Sequence, residues 1–319
     1  METTVIIPCI NSEDVIIDCI NSLESKNNPI IIVDNGSNDN TLKRILELKH
    51  DISIINTGKN LGWGNAANLG IKKVLTKYAL LLNPDVKFLT PEPIQNFENS
   101  IKNYKNVGMA SCITLNENLK KENGRLTFFS NLNKKILKNI KEIPEGDTCS
   151  TINCVYGGAI IFLDVMKFNS VSGFDNNCFL YLEEDDLCFR MKKKSHVNMI
   201  FPSIQALHLG SHSSKIPNLT WWKNWHWVWS DFYFKKKYNF KNLFLNNLIK
   251  IVKWLFKTLI YFFTNKKKYY LYSGRLNGAL SFVLGKMAMD NTPLAEKNNA
   301  KGIFGKIKLN TNENYTLSK

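Results

Sequence analysis

Four short runs of β-branched and aliphatic residues, each followed by a polar turn, constrain the fold of this chain more than any other feature. They are Val5–Ile7, Ile30–Val33, Ile52–Ile55 and Ala79–Leu82. Helical segments alternate with them: Asn11 or Ser12 can cap a helix running through Leu23, and Ala66 to Leu75 reads as another. Such alternation predicts βαβ units and a mainly parallel α/β sheet covered on both faces, with ligands bound at the carboxyl ends of its strands. Those ends read Pro8-Cys9-Ile10-Asn11, Asp34-Asn35-Gly36-Ser37 and Asn83-Pro84-Asp85, all polar or turn-forming.

Each end has a chemical use. Asp34 closes an apolar strand, where its carboxylate can accept hydrogen bonds from a base or ribose; the competing role is a helix-capping acid before Thr41. Asn60-Leu-Gly62-Trp-Gly64-Asn65-Ala-Ala-Asn68 places two glycines in a turn entering a helix, where free backbone N–H groups can meet a phosphate. Asp85 offers an oxygen ligand for Mg²⁺ or Mn²⁺, and is otherwise a turn aspartate. Gly157 and Gly158 precede the strand Ala159–Phe162 and either let backbone approach a sugar or make a tight turn. Tyr156 and Tyr181 suit stacking on a sugar face or a place in the core.

The run Glu183-Glu184-Asp185-Asp186, framed by Phe179-Leu-Tyr-Leu and Leu-Cys-Phe-Arg190, sets four carboxylates in an apolar surround. Mutual repulsion and desolvation make that arrangement costly, which points to a site; the competing reading is a solvated, acid-rich helix N-terminus. It reads as a helix start, acids toward the positive end, with Arg190 one turn beyond Asp186.

Together with Val5-Ile-Ile-Pro8, Val33-Asp-Asn-Gly-Ser-Asn-Asp-Asn-Thr41, Gly173-Phe-Asp175 and His208-Leu-Gly210, these motifs cover about the first two thirds of the chain in order. The set resembles the inverting family 2 glycosyltransferases of GT-A fold, in their rhamnosyltransferase-like bacterial branch. The resemblance implies that Pro8, Cys9, Asn11, Asp34, Asn60, Gly62, Asn65, Asn68, Asn83, Asp85, Gly157 and Gly158 line a nucleotide-sugar site. It implies further that Asp34 binds the nucleoside, that Asp85 and His208 approach a divalent cation or the diphosphate, and that the acidic run supplies the base. Two positions depart from the family's pattern: Asn83 stands where the first acid of an Asp-x-Asp motif is usual, and Glu184 stands where Asp is usual. Glu184 therefore inherits the base role, with Glu183, Asp185, Asp186 and Arg190 in support. Inverting transfer asks for one such base to take the acceptor hydroxyl's proton, and neighbouring acids can raise its pKa toward working pH. Positive charge at the leaving diphosphate completes the equipment.

The last third differs. Five tryptophans fall between Trp221 and Trp229, and no Asp or Glu occurs from Phe232 to Met289. In Leu243–Phe263 the spacing sets Lys250, Lys253 and Lys257 on one helical face with Asn246 and Asn247, opposite Leu, Ile, Trp and Phe. Burying those lysines at a bilayer centre disfavours a spanning helix, so the expectation is an interfacial helix on an anionic leaflet or a packed subdomain with a basic outer face. The expected organisation is a catalytic domain over 1–215, a helical region over 216–290 and a polar tail over 291–319.

The net charge of +15 also fits a nucleic-acid binder, but acids at the very strand ends where phosphate would approach count against that class. A non-catalytic nucleotide-sugar-binding relative is the other alternative. Seven scattered cysteines without metal-ligand spacing read as reduced thiols, and the N-terminus lacks a signal-peptide pattern, so the expected location is cytoplasmic, on the inner face of the plasma membrane. The expected partners are a nucleotide-sugar donor and a glycan or lipid-linked acceptor; neither the sugar nor the oligomeric state follows from the sequence.

Overall fold

A computed structural model describes residues 2–24, 27–48, 51–122, 150–151, 158–210, 218–288 and 317–318. The sheet is built from β1 (Thr3–Cys9), β2 (Ile30–Asp34), β3 (Ile52–Asn56), β4 (Tyr78–Leu82), β5 (Val86–Phe88), β6 (Val107–Leu115), β7 (Ser150–Thr151), β8 (Ile160–Asp164), β9 (Val197–His208) and β10 (Leu317–Ser318). Its order is β10-β3-β2-β1-β4-β8-β6-β9-β5, with β7 beside β9. Strands β3, β2, β1 and β4 are mutually parallel, and β8 runs against both β4 and β6. β6 and β9 are parallel, and β5 returns antiparallel on β9. The mainly parallel α/β sheet of the GT-A fold is thus present, with the reversed strand β8 in its centre.

Period-two alternation distributes side chains to two cores. Val5, Ile7 and Cys9 face α1 (Ile16–Asn21), α2 (Thr41–Leu46) and α4 (Pro93–Lys102). Ile6, Ile31 and Val33 face α3 (Trp63–Ile71), α5 (Val165–Ser170) and α6 (Glu183–Lys193). Two helix boundaries move from their sequence expectation. The chain first turns on the Ser12 carbonyl, which accepts from Val15 N and Ile16 N, while the Ser12 hydroxyl donates to Ile10 O; neither Asn11 nor Ser12 is a side-chain cap of α1. Helix α3 begins three residues earlier than Ala66, because Gly62 at φ 84° lets the chain turn directly into it.

Three helices complete the described chain: α7 (Leu219–Lys237), α8 (Leu243–Thr264) and α9 (Lys266–Val283). Phe234, Trp227 and Tyr238 pack against Cys178, Leu182 and Phe189, so α7 is continuous with the region around α6. Gly274 and Gly278 of α9 lie against the Trp221 and Trp225 carbonyls, where any Cβ would collide with α7 backbone. The boundary expected at 215/216 lies outside the described residues.

Helix α8 corrects the expectation of an exposed lysine face. Lys250 Nζ reaches Asp231 Oδ2 on α7 at 3.3 Å, and Lys257 Nζ donates to the Tyr272 hydroxyl on α9 at 3.1 Å. Trp254, expected opposite the lysines, is buried among Val228, Phe232, Leu276 and Ala279. The polar arc therefore faces the other helices, because Asp231 and Tyr272 offer it partners there. The five described cysteines are buried and free. No described helix is long and apolar enough to cross a membrane.

Candidate functional site

The carboxyl ends of β2, β1 and β4, together with the start of β8, converge on one edge of the sheet. At β2, Asp34 is almost wholly buried, and its Oδ1 accepts from Ser37 N at 3.2 Å. Burial raises its pKa, against the pull of the Ser37 hydrogen bonds. It does not cap α2; Asp39 takes the Thr41 N–H at 3.0 Å and the Thr41 hydroxyl at 2.6 Å. Pro8 and Cys9 pair in register with Val33 and Asp34, and the Cys9 carbonyl accepts from Asn35 N at 2.8 Å. Asn11, at φ 47°, accepts from Asn38 N with its side-chain oxygen and donates its backbone N–H to Ser37 Oγ.

Asn35, which the sequence reading passed over, ties this edge to the next loop. Its Nδ2 donates to Asn60 Oδ1 at 3.0 Å, and its Oδ1 accepts from Leu61 N at 2.9 Å. A buried amide after a strand-end acid was the available signal. Gly62 is required by protein backbone, since a Cβ there would run into the Phe179 carbonyl. Asn65 and Asn68 likewise reach across to the segment before the acidic helix: Asn65 Nδ2 donates to Cys178 O at 3.4 Å, and Asn68 bonds Phe174 N and O at 3.0 Å. These side chains hold the Phe174–Cys178 loop against α3.

The acidic run divides by role. Tyr181 and Leu182 both adopt positive φ, 73° and 69°, immediately before α6. For residues with a Cβ that conformation costs about 1–2 kcal/mol each, so the surround must hold it. Ser230 Oγ donates to Leu180 O at 2.8 Å, and the Tyr181 ring meets Trp227 edge-on. Asp186, fully buried, receives Arg190 Nε at 2.7 Å, Lys237 Nζ at 2.9 Å and the Tyr238 hydroxyl. The expected Asp186–Arg190 pair is thus present, and Asp186 also fastens α6 to the end of α7. Lys237 bridges further to Asp175 at 2.7 Å. Glu183 and Asp185 are buried as well.

Glu184 points elsewhere. Its carboxyl sits over Gly158, where a Cβ would be 2.7 Å from Oε1, and its Oε2 is buried without a hydrogen-bond partner among the described residues. Gly158 has φ 64° and is joined through Ala159, whose carbonyl accepts from Asn83 N at 2.9 Å. Desolvation raises the Glu184 pKa; Glu183, beside it, is raised strongly by burial and then by the Glu184 charge. Burial, rather than neighbouring acids, is therefore the principal cause at Glu184. Gly157, with Tyr156 and His212, lies outside the described residues.

The pairing of β5 with β9 sets Val86 opposite His208 and brings Asp85 beside the imidazole, Oδ1 to Nε2 3.6 Å. That Oδ1 is buried and has no hydrogen-bond partner among the described residues. On the other side, His208 Nδ1 lies 3.0 Å from Glu122 Oε2, a residue no sequence motif indicated. Burial works against the charged ring, but the Glu122 hydrogen bond and the Asp85 charge outweigh it and raise the His208 pKa. A carboxylate oxygen and an imidazole nitrogen, the latter oriented by a second carboxylate, form a donor set that fits a divalent cation. Among the described residues no three His, Cys, Asp or Glu cluster as a complete metal site, so phosphate oxygens and water would complete the shell, as is usual for Mg²⁺.

Residues 4–156 match the family described as Glycosyl transferase family 2. This stretch is similar to the family 2 glycosyltransferases. Over 105 residues the chain is 33% identical to poly-beta-1,6-N-acetyl-D-glucosamine synthase of Staphylococcus epidermidis, a match covering 31% of this chain and 26% of that protein. The chain thus spans about a quarter of the length of that relative. It is 21% identical over 213 residues to N-acetylglucosaminyl-diphospho-decaprenol L-rhamnosyltransferase of Mycobacterium tuberculosis, covering 58% of this chain and 67% of that one. Among solved structures, GalNAc-T7 with UDP, GalNAc and Mn²⁺ superposes with a TM-score of 0.51 at 11% identity, over 66% of this chain and 44% of the other.

Proposed function

We propose that the chain is an inverting glycosyltransferase that moves a sugar from a nucleoside diphosphate to a glycan or lipid-linked acceptor. The observation that carries this reading is a pair of buried carboxylate oxygens at one sheet edge, Glu184 Oε2 and Asp85 Oδ1, that no group among the described residues hydrogen-bonds. Buried polar atoms are nearly always paired, so two orphans at a binding edge call for ligand atoms. Glu184 takes the proton of the attacking hydroxyl; its desolvated carboxyl is more basic than an ordinary one and better matched to that task. Asp34 accepts from the nucleoside, and the glycine at 158 keeps the space over the base open. Asp85 and His208 would hold Mg²⁺ or Mn²⁺, which when bound supplies positive charge to the departing diphosphate.

The donor is dTDP-rhamnose or a close relative, a reading supported by the mycobacterial rhamnosyltransferase match, which covers 58% of the chain. The catalytic unit is 1–215 and the helical region 216–290 carries it at the inner face of the plasma membrane. A thermal-shift screen tests the donor: at about a hundred times Kd a ligand stabilises by roughly 2.7 kcal/mol. Stabilisation by dTDP-rhamnose but not by nucleotide-activated N-acetylglucosamine, followed by transfer with inversion at the anomeric carbon, is expected. Retention of configuration, or binding of every donor without turnover, would overturn the reading.

A further inference from the structure

Helix α8 is turned so that Lys250 and Lys257 face α7 and α9 while most of its apolar residues face out. Leu248, Ile249, Val252, Phe256, Leu259 and Phe263 lie within one arc at 3.6-residue periodicity, and all are exposed, Phe256 at 60% and Phe263 at 85%. From Leu248 to Phe263 the strip is about 24 Å long. Leu280, Val283 and Leu284, near the end of α9, are exposed as well. A contiguous apolar face of this size on a chain so rich in lysine marks an interaction surface.

The charges at its margins identify the occupant. Lys241 precedes the helix, Lys253 flanks the strip, and Lys266 and Lys267 follow it; all four are exposed. No acid occurs in the sequence from Phe232 to Met289. A second copy of the chain would bring one lysine rim against another. An anionic bilayer supplies hydrocarbon for the strip and phosphate for the rim at the matching depth.

We propose that α8 lies in the plane of an anionic lipid bilayer with this apolar strip among the acyl chains and Lys241, Lys253, Lys266 and Lys267 at the headgroups. This deepens the membrane reading given above by assigning the face, and it reverses the orientation in which Lys250 and Lys257 would meet lipid.

The test is co-sedimentation of the full chain with phosphatidylcholine vesicles prepared with and without phosphatidylglycerol. Val252→Gln, Phe256→Gln and Leu259→Gln combined should leave the helical signal and melting temperature unchanged, since these side chains touch little of the fold, and should weaken vesicle binding on the order of 100-fold. Neutralising Lys253, Lys266 and Lys267 to Gln should cost about fivefold per lysine on anionic vesicles only. Lys250→Gln and Lys257→Gln should lower the melting temperature and leave the affinity for vesicles in place. Unchanged binding by the apolar triple variant overturns the proposal. So does a wild-type dimer that the same variant converts to monomer without lipid, because the strip is then covered by a second copy. Donor-induced thermal shift without vesicles separates this outcome from failure of the transferase reading.

Discussion

Substituting Gly158 by alanine probes the candidate base without touching it. The new Cβ would lie 2.7 Å from Glu184 Oε1 and 3.0 Å from Cδ, whereas heavy atoms rest comfortably at about 3.5 Å, so the carboxyl must withdraw by roughly half an ångström or more. The obstructing atom is the end of a flexible side chain, and its retreat costs the fold little. The larger structural cost is holding alanine at φ 64°, about 1–2 kcal/mol, which for a chain of this size lowers the melting temperature by several degrees. The catalytic cost is greater. An ångström of misplacement can cost about 10²-fold, so a shift of half that size should reduce turnover on the order of 10-fold.

The assay is single-turnover transfer at saturating donor, with donor affinity followed by thermal shift. Donor affinity should hold while the rate falls. Combining Gly158→Ala with Glu184→Gln provides the decisive comparison, because a carboxamide that accepts no proton has no rate left to lose by being displaced. The double variant should match Glu184→Gln alone. Multiplying losses, or a Gly158→Ala enzyme that melts earlier yet turns over normally, would refute the placement of the base over this glycine.

Glu184→Gln itself should keep donor binding and lose transfer by about 10²–10⁴-fold, and near-normal turnover would move the base to another acid of the run. Because burial raises the Glu184 pKa above its ordinary 4.5, the stability associated with its proton is present below that value and lost as pH rises through the folded pKa. The glutamine variant escapes that loss, so its melting temperature should gain on the parent as pH is raised, measured by scanning fluorimetry across the acid-to-neutral range. Asp186→Asn should destabilise by about 2–3 kcal/mol, at the low end for a broken buried ion pair because Arg190 and Lys237 keep some water contact, as read by urea midpoints. Asp34→Ala should weaken nucleotide binding with the fold intact, and unaltered affinity would take Asp34 out of the site. Asp85→Ala should abolish cation-dependent transfer; parent activity that survives exhaustive chelation would remove the cation from the mechanism.

Most of the parallel half of the sheet was legible because β1, β2 and β4 are buried on both faces and therefore read as runs rich in Ile, Val and Leu, whereas β3 is partly exposed and carries Ser53. The reversed strand β8 was legible as a strand but not in its direction, since an apolar run carries no polarity and its pairing with β4 and β6 is set by distant chain. Motif residues were found at strand ends, where a polar residue after a buried run is conspicuous. Glu122 carries no such mark. It reaches His208 across 86 residues of sequence through a two-residue bridge of Leu115 with Lys121, and only the fold puts them together. Asn65 and Asn68 show the opposite limit, because an asparagine beside a glycine turn has the same sequence signature whether its amide serves a ligand or the Phe174–Cys178 loop.

Helix α8 shows why periodicity alone is incomplete. Amphipathic spacing establishes that a helix has two faces, and the usual rule then turns the apolar one inward. Here the inner side presents Asp231 to Lys250 and Tyr272 to Lys257, and the balance is reversed by those partners. The same local wiring connects this helix to the catalytic edge. Asp186 on α6 binds Lys237 and Tyr238 at the end of α7, and only the short segment Asn239–Asn242 separates Tyr238 from α8. A bilayer that fixes α8 therefore also bears on the joint that orients α6 and, two residues before Asp186, the Glu184 carboxyl. Weakening that joint in Asp186→Asn should lower turnover as well as stability, and should do so more on vesicles, where α8 is held, than in free solution.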